Sequence, residues 1–219
     1  MVSVVGVGPG SRDYLIPLAL RRIEEADVLV GGERLLALFS QVEAEKIPFR
    51  MHLDLADLHR RFRKVVVLAG GDPLLFGVLD WVLQSVPPQE VEVIPGISSV
   101  QYMLARLRLP LKDVAVVSLH GREGRLPEVV RKHATVVVFT DPEHTPVTIA
   151  RGLLQAGLKD CYLYVGESLS CAGESIRRFR LEELAQREDR FGLNLVVIRR
   201  CIPFSSEYPT VFFDAEMHP

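Results

Sequence analysis

Three glycine-rich segments of the chain follow short apolar runs, and their backbone could lie close to a bound molecule. They are residues 6–11 (GVGPGS), 69–77 (AGGDPLLFG) and 95–101 (PGISSVQ). Glycine permits sharp turns and leaves the backbone accessible to a ligand. In open α/β sheets, ligands bind beside such turns at the carboxyl ends of the strands. The spacing therefore predicts a site for a small polar ligand, and tight turns without a ligand are the alternative.

Two of these segments also have an ordinary structural interpretation. Asp72 followed by Pro73 is typical of a helix cap and a first helical residue. Ser98 and Gln101 have the spacing of a capping box, in which each side chain bonds the other residue's backbone N–H. In the functional interpretation, Asp72 holds a ribose hydroxyl or an ammonium group, and Ser98 or Ser99 faces a polar group of a cofactor. The residues alone leave both interpretations open.

The first segment departs from the dinucleotide-binding fingerprint. Ser11 stands where that fingerprint has glycine or alanine. Pro9 removes a backbone N–H from a loop that would cradle phosphate. Asp27 precedes the second predicted strand, whereas the acid that binds a ribose should stand at the end of that strand. We therefore disfavour a nicotinamide-dependent oxidoreductase.

A fourth polar segment, residues 118–122 (SLHGR), contains His120 and Arg122, which could bind the carboxylates of a substrate. The alternative is a polar turn with a solvated arginine. No serine or cysteine stands with a histidine and an acid in a nucleophile pattern, and the six histidines lack metal-ligand spacing. The three cysteines are odd in number and match no zinc pattern. We expect reduced structural thiols and no metal site.

Short β-branched runs alternate with helical patterns along the chain, which predicts an α/β fold. Helices are predicted from Pro17, which can take a first helical position, over residues 76–83 and over residues 146–154. The segment 41–60 has no clean period and is left unassigned. The predicted strands are residues 2–7, 28–30, 65–69, 91–94, 114–119, 135–140, 161–165 and 194–199.

A division of the chain into two domains is predicted near Pro110. Proline there would end a helix just before a new strand begins. The halves, 1–111 and 112–219, are each long enough for a small α/β domain. The first carries the three glycine-rich segments, and the second is expected to complete the site.

Composition and charge exclude several classes of protein. The 26 Lys and Arg residues against 28 Asp and Glu residues give a formal net charge of −2, whereas nucleic-acid-binding domains show a basic excess. No apolar run approaches the roughly 18 residues of a membrane span. The amino-terminal residues lack the basic region and cleavage site of a signal peptide. We expect a cytoplasmic protein that binds neither nucleic acid nor a membrane.

Taken in order, seven segments resemble the tetrapyrrole (corrin/porphyrin) methylase family, and the resemblance covers nearly the whole chain. The segments are residues 5–10, 26–32, 70–73, 95–99, 140–141 with 145–146, 166–169 and 194–198. Within the family, residues 30–35, 71–77 and 118–122 resemble the branch of cobalt-precorrin-7 (C5)-methyltransferases, which is also the C5 half of precorrin-6Y C5,15-methyltransferases.

The resemblance implies two consecutive α/β domains with the active-site cleft between them, commonly in a homodimer. It implies S-adenosyl-L-methionine as methyl donor and S-adenosyl-L-homocysteine as product. The cofactor-binding residues that it implies, position by position, are Pro9, Gly70, Gly71, Asp72, Leu75, Ser98, Ser99, Thr140, Ser168 and Leu169.

The implied reaction is C-methylation of a precorrin at C5 in cobalamin biosynthesis. Such a substrate carries several carboxylates, and arginine pairs with carboxylates through two parallel hydrogen bonds. We therefore expect Arg34 and Arg122, with His120, to bind it. The chain leaves no room for the domain that performs C15 methylation and decarboxylation in two-activity enzymes. A separate C15 protein is therefore expected as a partner.

The chain departs from the family's pattern in two places. Gly31, Gly32 and Glu33 occupy the stretch where the uroporphyrinogen-methylating branch has a candidate catalytic Asp, so no base is carried over, although Glu33 is nearby. Ser168 stands where relatives often have Asn. Two alternatives stay open: methylation at another ring position, or a module that binds S-adenosylmethionine without catalysis.

Overall fold

The computed structural model describes residues 1–50, 53–119 and 126–201, which form two compact units. The first unit is Met1–Tyr102 together with Ser168–Glu174. The second is Met103–Glu167 and the described residues from Ser175 onward. A short segment from late in the sequence therefore belongs to the first unit. The predicted consecutive domains, 1–111 and 112–219, stay a prediction.

The first unit contains a five-stranded parallel sheet with the order β3-β2-β4-β1-β5. Its apolar runs are buried on both faces, as parallel sheets require. The strands are β1 (Val2–Gly6), β2 (Val28–Gly31), β3 (Glu45–Pro48), β4 (Val65–Ala69) and β5 (Val91–Ile94). The helices are α1 (Pro17–Glu24), α2 (Glu33–Leu38), α3 (Leu55–Arg61) and α4 (Leu79–Ser85), with 3₁₀ turns at Arg12–Tyr14 and Pro88–Glu90. A fifth helix, α5 (Ser99–Arg106), begins in this unit and contains the boundary after Tyr102.

Helices cover the two faces of this sheet in separate layers. Ile23 of α1 and Leu36 of α2 pack on one face, whereas Leu58 of α3 and Val82 of α4 pack on the other. The chain that leaves β1 and the chain that leaves β4 therefore turn to opposite faces, although the two strands are neighbours. Such a point opens a crevice at the carboxyl ends of the strands, where α/β proteins bind ligands.

The second unit contains a mixed sheet with the order β6-β7-β10-β8-β9, in which β6 and β7 form the parallel pair. Its core joins strand residues such as Val138 and Val196 to Leu153 of α7. The strands are β6 (Val114–Ser118), β7 (Thr135–Phe139), β8 (Cys161–Glu167), β9 (Ser175–Arg180) and β10 (Asn194–Arg200). The helices are α6 (Leu126–Lys132), α7 (Pro146–Gln155) and α8 (Leu181–Ala185).

The α/β class and all eight predicted strands are confirmed, as are the helices that begin at Pro17 and Pro146. β3 and β9 were not predicted. Both are edge strands with few apolar residues, EKIP and SIRRFR, so neither has the apolar run of a buried strand. The predicted helix over 76–83 is wrong at its start, because α4 begins only at Leu79. In the described part of the chain, no helix is long and apolar enough to cross a membrane.

Candidate functional site

The loops that follow β1 and β4 are joined through two glycines. Gly8 N–H donates to the Gly71 carbonyl at 3.2 Å, and Gly71 N–H donates to the Gly8 carbonyl at 2.8 Å. Both residues have positive φ, +80° and +72°, a conformation that glycine adopts without steric cost. Because β1 and β4 are parallel neighbours, their carboxyl ends meet at one edge of the sheet. The sequence motifs GVGPG and GGDP thus come together.

The loop after β5 completes this junction through glycine contacts. A Cβ on Gly6 would lie 2.8 Å from the Gly71 carbonyl oxygen and 2.7 Å from Gly96 Cα, both of them backbone atoms. A Cβ on Gly96 would likewise lie 2.8 Å from the Gly6 carbonyl carbon. We call the contact among Gly6, Gly8, Gly71 and Gly96 the loop junction. It requires glycine because the backbones themselves touch.

Asp72 links the loops after β4 and β5 through its side chain. Its Oδ2 accepts a hydrogen bond from Gly96 N–H at 3.0 Å, and its Oδ1 accepts one from Leu74 N–H at 2.7 Å. The alternative of Asp72 as a helix cap with Pro73 as the first helical residue is wrong, because α4 begins at Leu79. The carboxylate instead closes a local turn and holds the neighbouring loop.

Ser98 forms the capping box that its spacing predicts. Ser98 N–H donates to Gln101 Oε1 at 2.9 Å, and Gln101 N–H donates to Ser98 Oγ at 3.1 Å. Ser98 is buried, with 4% of its surface exposed, and α5 begins at the next residue, Ser99. The side chain of Ser98 therefore has a structural role at the start of α5, beside the loop junction.

The segment Ser168–Glu174 packs on the first glycine-rich loop. Ser11 N–H donates to Ser170 Oγ at 2.9 Å, across 159 residues of sequence. A Cβ on Gly10 would lie 2.8 Å from the Leu169 carbonyl oxygen, so the close approach again requires glycine. Leu169 is buried. The predicted site residues Ser168 and Leu169 therefore belong to the same unit as Pro9.

Arg34 lies beside Gly70, at the end of β4. Its Nη2 would be 3.8 Å from a Cβ on Gly70, and both residues are exposed. Among the described residues, the guanidinium of Arg34 has no carboxylate within ion-pair distance. An uncompensated arginine at the open edge of the sheet is suited to an anionic partner.

Two apolar side chains are exposed in the turn after Asp72. Leu74 has 63% of its surface exposed and Phe76 has 54%. Phe76 also has a φ of +52°, which is rare for a bulky residue and indicates local constraint. Leu75, between them, is only partly exposed. This turn replaces the first half of the helix predicted over 76–83.

Of three further predicted site residues, one is in the second unit, and two are outside the described residues. Thr140 is in the second unit, where its hydroxyl donates to the Asn194 carbonyl at 3.0 Å, with Asn194 Oδ1 also at 3.0 Å. His120 and Arg122 lie outside the described residues. Across residues 1–50, 53–119 and 126–201, no group of three His, Cys, Asp or Glu side chains could hold a metal ion.

A partly exposed ion pair in the first unit lies away from the loop junction. Arg22 Nε donates to Glu92 Oε2 at 2.7 Å, and Ser3 Oγ donates to the same oxygen at 2.8 Å. The hydrogen bond from Arg22 lowers the pKa of Glu92, while partial burial opposes that shift. Ser3 and Glu92 are paired across β1 and β5, near the amino ends of the strands. This pair stabilises the sheet at the edge opposite the site.

The fold and the loop junction together define an α/β protein with a candidate ligand site at the carboxyl edge of a parallel sheet. The sequence profile of the tetrapyrrole (corrin/porphyrin) methylases matches residues 1–185. The chain therefore belongs to the tetrapyrrole methylase family.

Several relatives of this chain have names that indicate which methylases it resembles. The chain is 36% identical over 181 residues to a cobalt-precorrin-7 C(5)-methyltransferase of Salmonella typhimurium, a match that covers 80% of this chain and 89% of the relative. It is 33% identical to a decarboxylating precorrin-6Y C(5,15)-methyltransferase of a Sinorhizobium species, over 89% of this chain and 47% of the relative. It is also similar to a uroporphyrin-III C-methyltransferase of Thermus thermophilus in complex with S-adenosylhomocysteine. That likeness has a TM-score of 0.73 and 29% identity, and it covers 90% of this chain and 91% of the other.

The loops of the first unit fit a cofactor of that kind. Gly70 is exposed, and among the described residues its backbone N–H and carbonyl have no hydrogen-bond partner. Its missing Cβ leaves that backbone open to a polar group of a ligand. Carboxylate, amino and ribose groups are the polar parts of S-adenosylmethionine that could use these donors and acceptors.

Proposed function

We propose that this protein transfers a methyl group from S-adenosylmethionine to C5 of a precorrin in cobalamin biosynthesis. The observation that carries the proposal is the loop junction. The loop junction brings the three family motifs together at the carboxyl edge of the parallel sheet. The chain also resembles a cobalt-precorrin-7 C(5)-methyltransferase over most of the length of both proteins. No acid–base triad or metal site is needed to deliver a methyl group from a sulfonium to carbon.

The proposed cofactor contacts come from the loop junction and the segments that pack on it. Gly70 offers free backbone groups, and Asp72 sets the path of the loop through its bonds to Gly96 and Leu74. Thr140 is included on the family resemblance alone. The full proposed set is Pro9, Gly70, Gly71, Asp72, Leu75, Ser98, Ser99, Thr140, Ser168 and Leu169.

When bound, S-adenosylmethionine supplies a methyl group on a positively charged sulfur. This chain's contribution is alignment: rigid glycine contacts hold the loops in one arrangement, and correct placement of reactants can supply most of a rate acceleration. The apolar Leu74 and Phe76 turn adds surface that keeps water away when a ring system lies over it. The transfer disperses the positive charge of the donor, so a site of low polarity favours it.

Arg34 is proposed to bind a carboxylate of the substrate. Its guanidinium lies next to Gly70 at the same edge as the proposed cofactor contacts, and it is free of carboxylate partners within the described residues. His120 and Arg122, outside the described residues, are proposed for the same role. A charged hydrogen bond of this kind contributes about 1.5–3 kcal/mol.

The deciding experiment is incubation with methyl-labelled S-adenosylmethionine and precorrin intermediates, followed by NMR of the product. Label at C5 supports the proposal. Label at another carbon would leave the family in place and contradict the C5 assignment. Binding of S-adenosylmethionine without any consumption would indicate a non-catalytic module instead.

Assembly and partners are part of the proposal. We propose a cytoplasmic homodimer that hands its product to a separate C15-methylating and decarboxylating protein. The two-activity relative, of which this chain matches about half, supports that division of labour. Light scattering of the purified chain would give the oligomeric state, and coupled turnover with a C15 enzyme would test the transfer of product.

A further inference from the structure

The turn at Ser168–Ser170 is held in a conformation that serine rarely adopts. Ser168 has a φ of +49° and Ser170 a φ of +62°, and neither is glycine. A Cβ in this left-handed region approaches the following carbonyl group, so the conformation costs free energy. Such strain persists only where surrounding contacts over-determine the backbone, and it concentrates at functional sites. We call these three residues the serine turn.

One carboxylate oxygen accepts two hydrogen bonds, one from the serine turn and one from a tyrosine of the first unit. Glu174 Oε2 accepts a hydrogen bond from Ser170 N–H at 2.6 Å and another from the Tyr102 hydroxyl at 2.6 Å. Hydrogen bonds to a charged acceptor are short and about twice as strong as neutral ones. Tyr102 is buried, with 8% of its surface exposed. The carboxylate therefore ties the strained backbone to a fixed point in the first unit.

Tyr102 also contacts a residue that packs on the first glycine-rich loop. The Tyr102 ring packs edge-to-face on Tyr14, with 5.1 Å between ring centroids. A Cβ on Gly8 would lie 3.2 Å from the Tyr14 carbonyl oxygen, so Tyr14 in turn backs the loop junction. On its other side, the serine turn receives Ser11 N–H at Ser170 Oγ, at 2.9 Å. Tyr102 and Glu174 thus connect the loop junction to the serine turn.

We propose that Glu174, with Tyr102, is a positioning residue that sets the backbone of Ser168 and Leu169 for the methyl donor. Neither residue follows from any sequence motif of the site. The proposal rests on the proposed function, because it assigns these contacts a role in binding S-adenosylmethionine. Leu169 is buried against the first loop, so a shift of the serine turn changes the site and not the surface alone.

The test is the affinity of the full chain for S-adenosylhomocysteine, measured by calorimetry. Glu174→Ala removes both hydrogen bonds and should weaken binding about tenfold, as expected for loss of about 1.4 kcal/mol. Glu174→Gln should stay within about threefold, because one amide oxygen can accept both bonds. Tyr102→Phe removes one bond and keeps the ring contact with Tyr14, so it should fall between the two. With the cofactor saturating, kcat should recover toward the wild-type value in all three variants.

The matched control is Glu92→Ala, which removes another carboxylate with two partners from the same unit, at the opposite edge of the sheet. Its affinity for S-adenosylhomocysteine should stay within about twofold of wild type even if its unfolding midpoint falls. The positioning role would be overturned if Glu92→Ala and Glu174→Ala weakened binding equally, or if Glu174→Ala did not weaken it. Binding by wild type would then leave the proposed function standing, to be decided by the labelling experiment. If Glu174→Ala does not fold, the other variants decide the positioning role. Affinity should then fall in the order wild type, Glu174→Gln, Tyr102→Phe, and any other order would contradict the proposal. Failure of wild type to bind would overturn both proposals.

Discussion

In the first unit, β4, β1 and β5 run parallel, and the loops that follow them leave the same edge of the sheet. In the second unit, β7 and β10 run antiparallel, so the end of β7 lies beside the start of β10. Three glycine-rich motifs that are far apart in sequence therefore meet in the first unit. Thr140, at the end of β7, instead meets Asn194, the first residue of β10.

Strand direction decides whether motifs that are far apart in sequence meet at one edge of a sheet. A parallel sheet gathers every post-strand loop at its carboxyl edge, so motifs placed after strands assemble without further help. An antiparallel pair places the end of one strand beside the start of the other, so its loops are divided between two edges. The glycines behave accordingly: Gly6 has backbone against its missing Cβ, whereas Gly152 of α7 has nothing within 4 Å.

The largest effect should follow from Gly6→Ala, which places a side chain inside the loop junction. Its Cβ would approach backbone atoms of Gly71 and Gly96, which have no flexible side chain to move away. We expect a loss of roughly 3 kcal/mol in unfolding free energy and at least tenfold weaker binding of S-adenosylhomocysteine. Urea denaturation and calorimetry measure these. Gly32→Ala is the control, because nothing lies within 4 Å of its Cβ. Similar effects from both variants would refute the loop junction.

A pH effect should appear in the second unit. Burial raises the pKa of the Cys161 thiol from 9.0 to about 11, and Cys201 nearby adds to that shift. The unfolded thiol ionises first, so stability is full below pH 9 and declines as pH rises toward 11. The decline should be about 2 kcal/mol. From pH 8 to pH 11, the unfolding free energy of wild type should fall by about 2 kcal/mol more than that of Cys161→Ala. Parallel curves would show that Cys161 ionises as readily in the folded chain.

Arg34→Ala should affect the substrate and leave the cofactor alone. Loss of one charged contact should raise the KM for the precorrin about tenfold, while affinity for S-adenosylhomocysteine stays within about twofold. Steady-state kinetics and calorimetry separate the two. Arg60→Ala, an exposed arginine on α3 that is paired with Asp57, serves as the charge-matched control. An unchanged KM in Arg34→Ala would remove Arg34 from the substrate site.

The smallest effect, and one of opposite sign, should come from Gly152→Ala in the second unit. Gly152 lies inside α7 and is exposed, so alanine adds helix propensity without a clash. Stability should rise by roughly 0.5–1 kcal/mol, as measured by the midpoint of thermal unfolding. A fall in stability would mean that glycines of the second unit are also constrained by contacts.

Much of the fold could be predicted because a buried strand has a short run of apolar residues that is visible in the local sequence. Residues 65–69 and 91–94 are apolar runs, and their strands appear as expected. β9 could not be predicted, since its three arginines suit an exposed edge and hide the strand pattern. The Asp72–Pro73 pair was misleading in its structural interpretation. An Asp followed by Pro is common at helix starts, but here the Asp72 carboxylate accepts a hydrogen bond from Gly96 N–H in a neighbouring loop.

Local patterns were enough to predict eight of the ten strands in the described residues, to mark turns that need glycine and to indicate the tetrapyrrole methylase family. Those properties depend on runs and spacings within a few residues. The position of β1 between β4 and β5, and the hydrogen bond that Glu174 accepts from Tyr102, 72 residues away, became evident only in the folded chain. The physical reason is that a hydrogen bond across such a distance depends on packing of the whole unit. No local pattern marks a glutamate that will hold a strained turn.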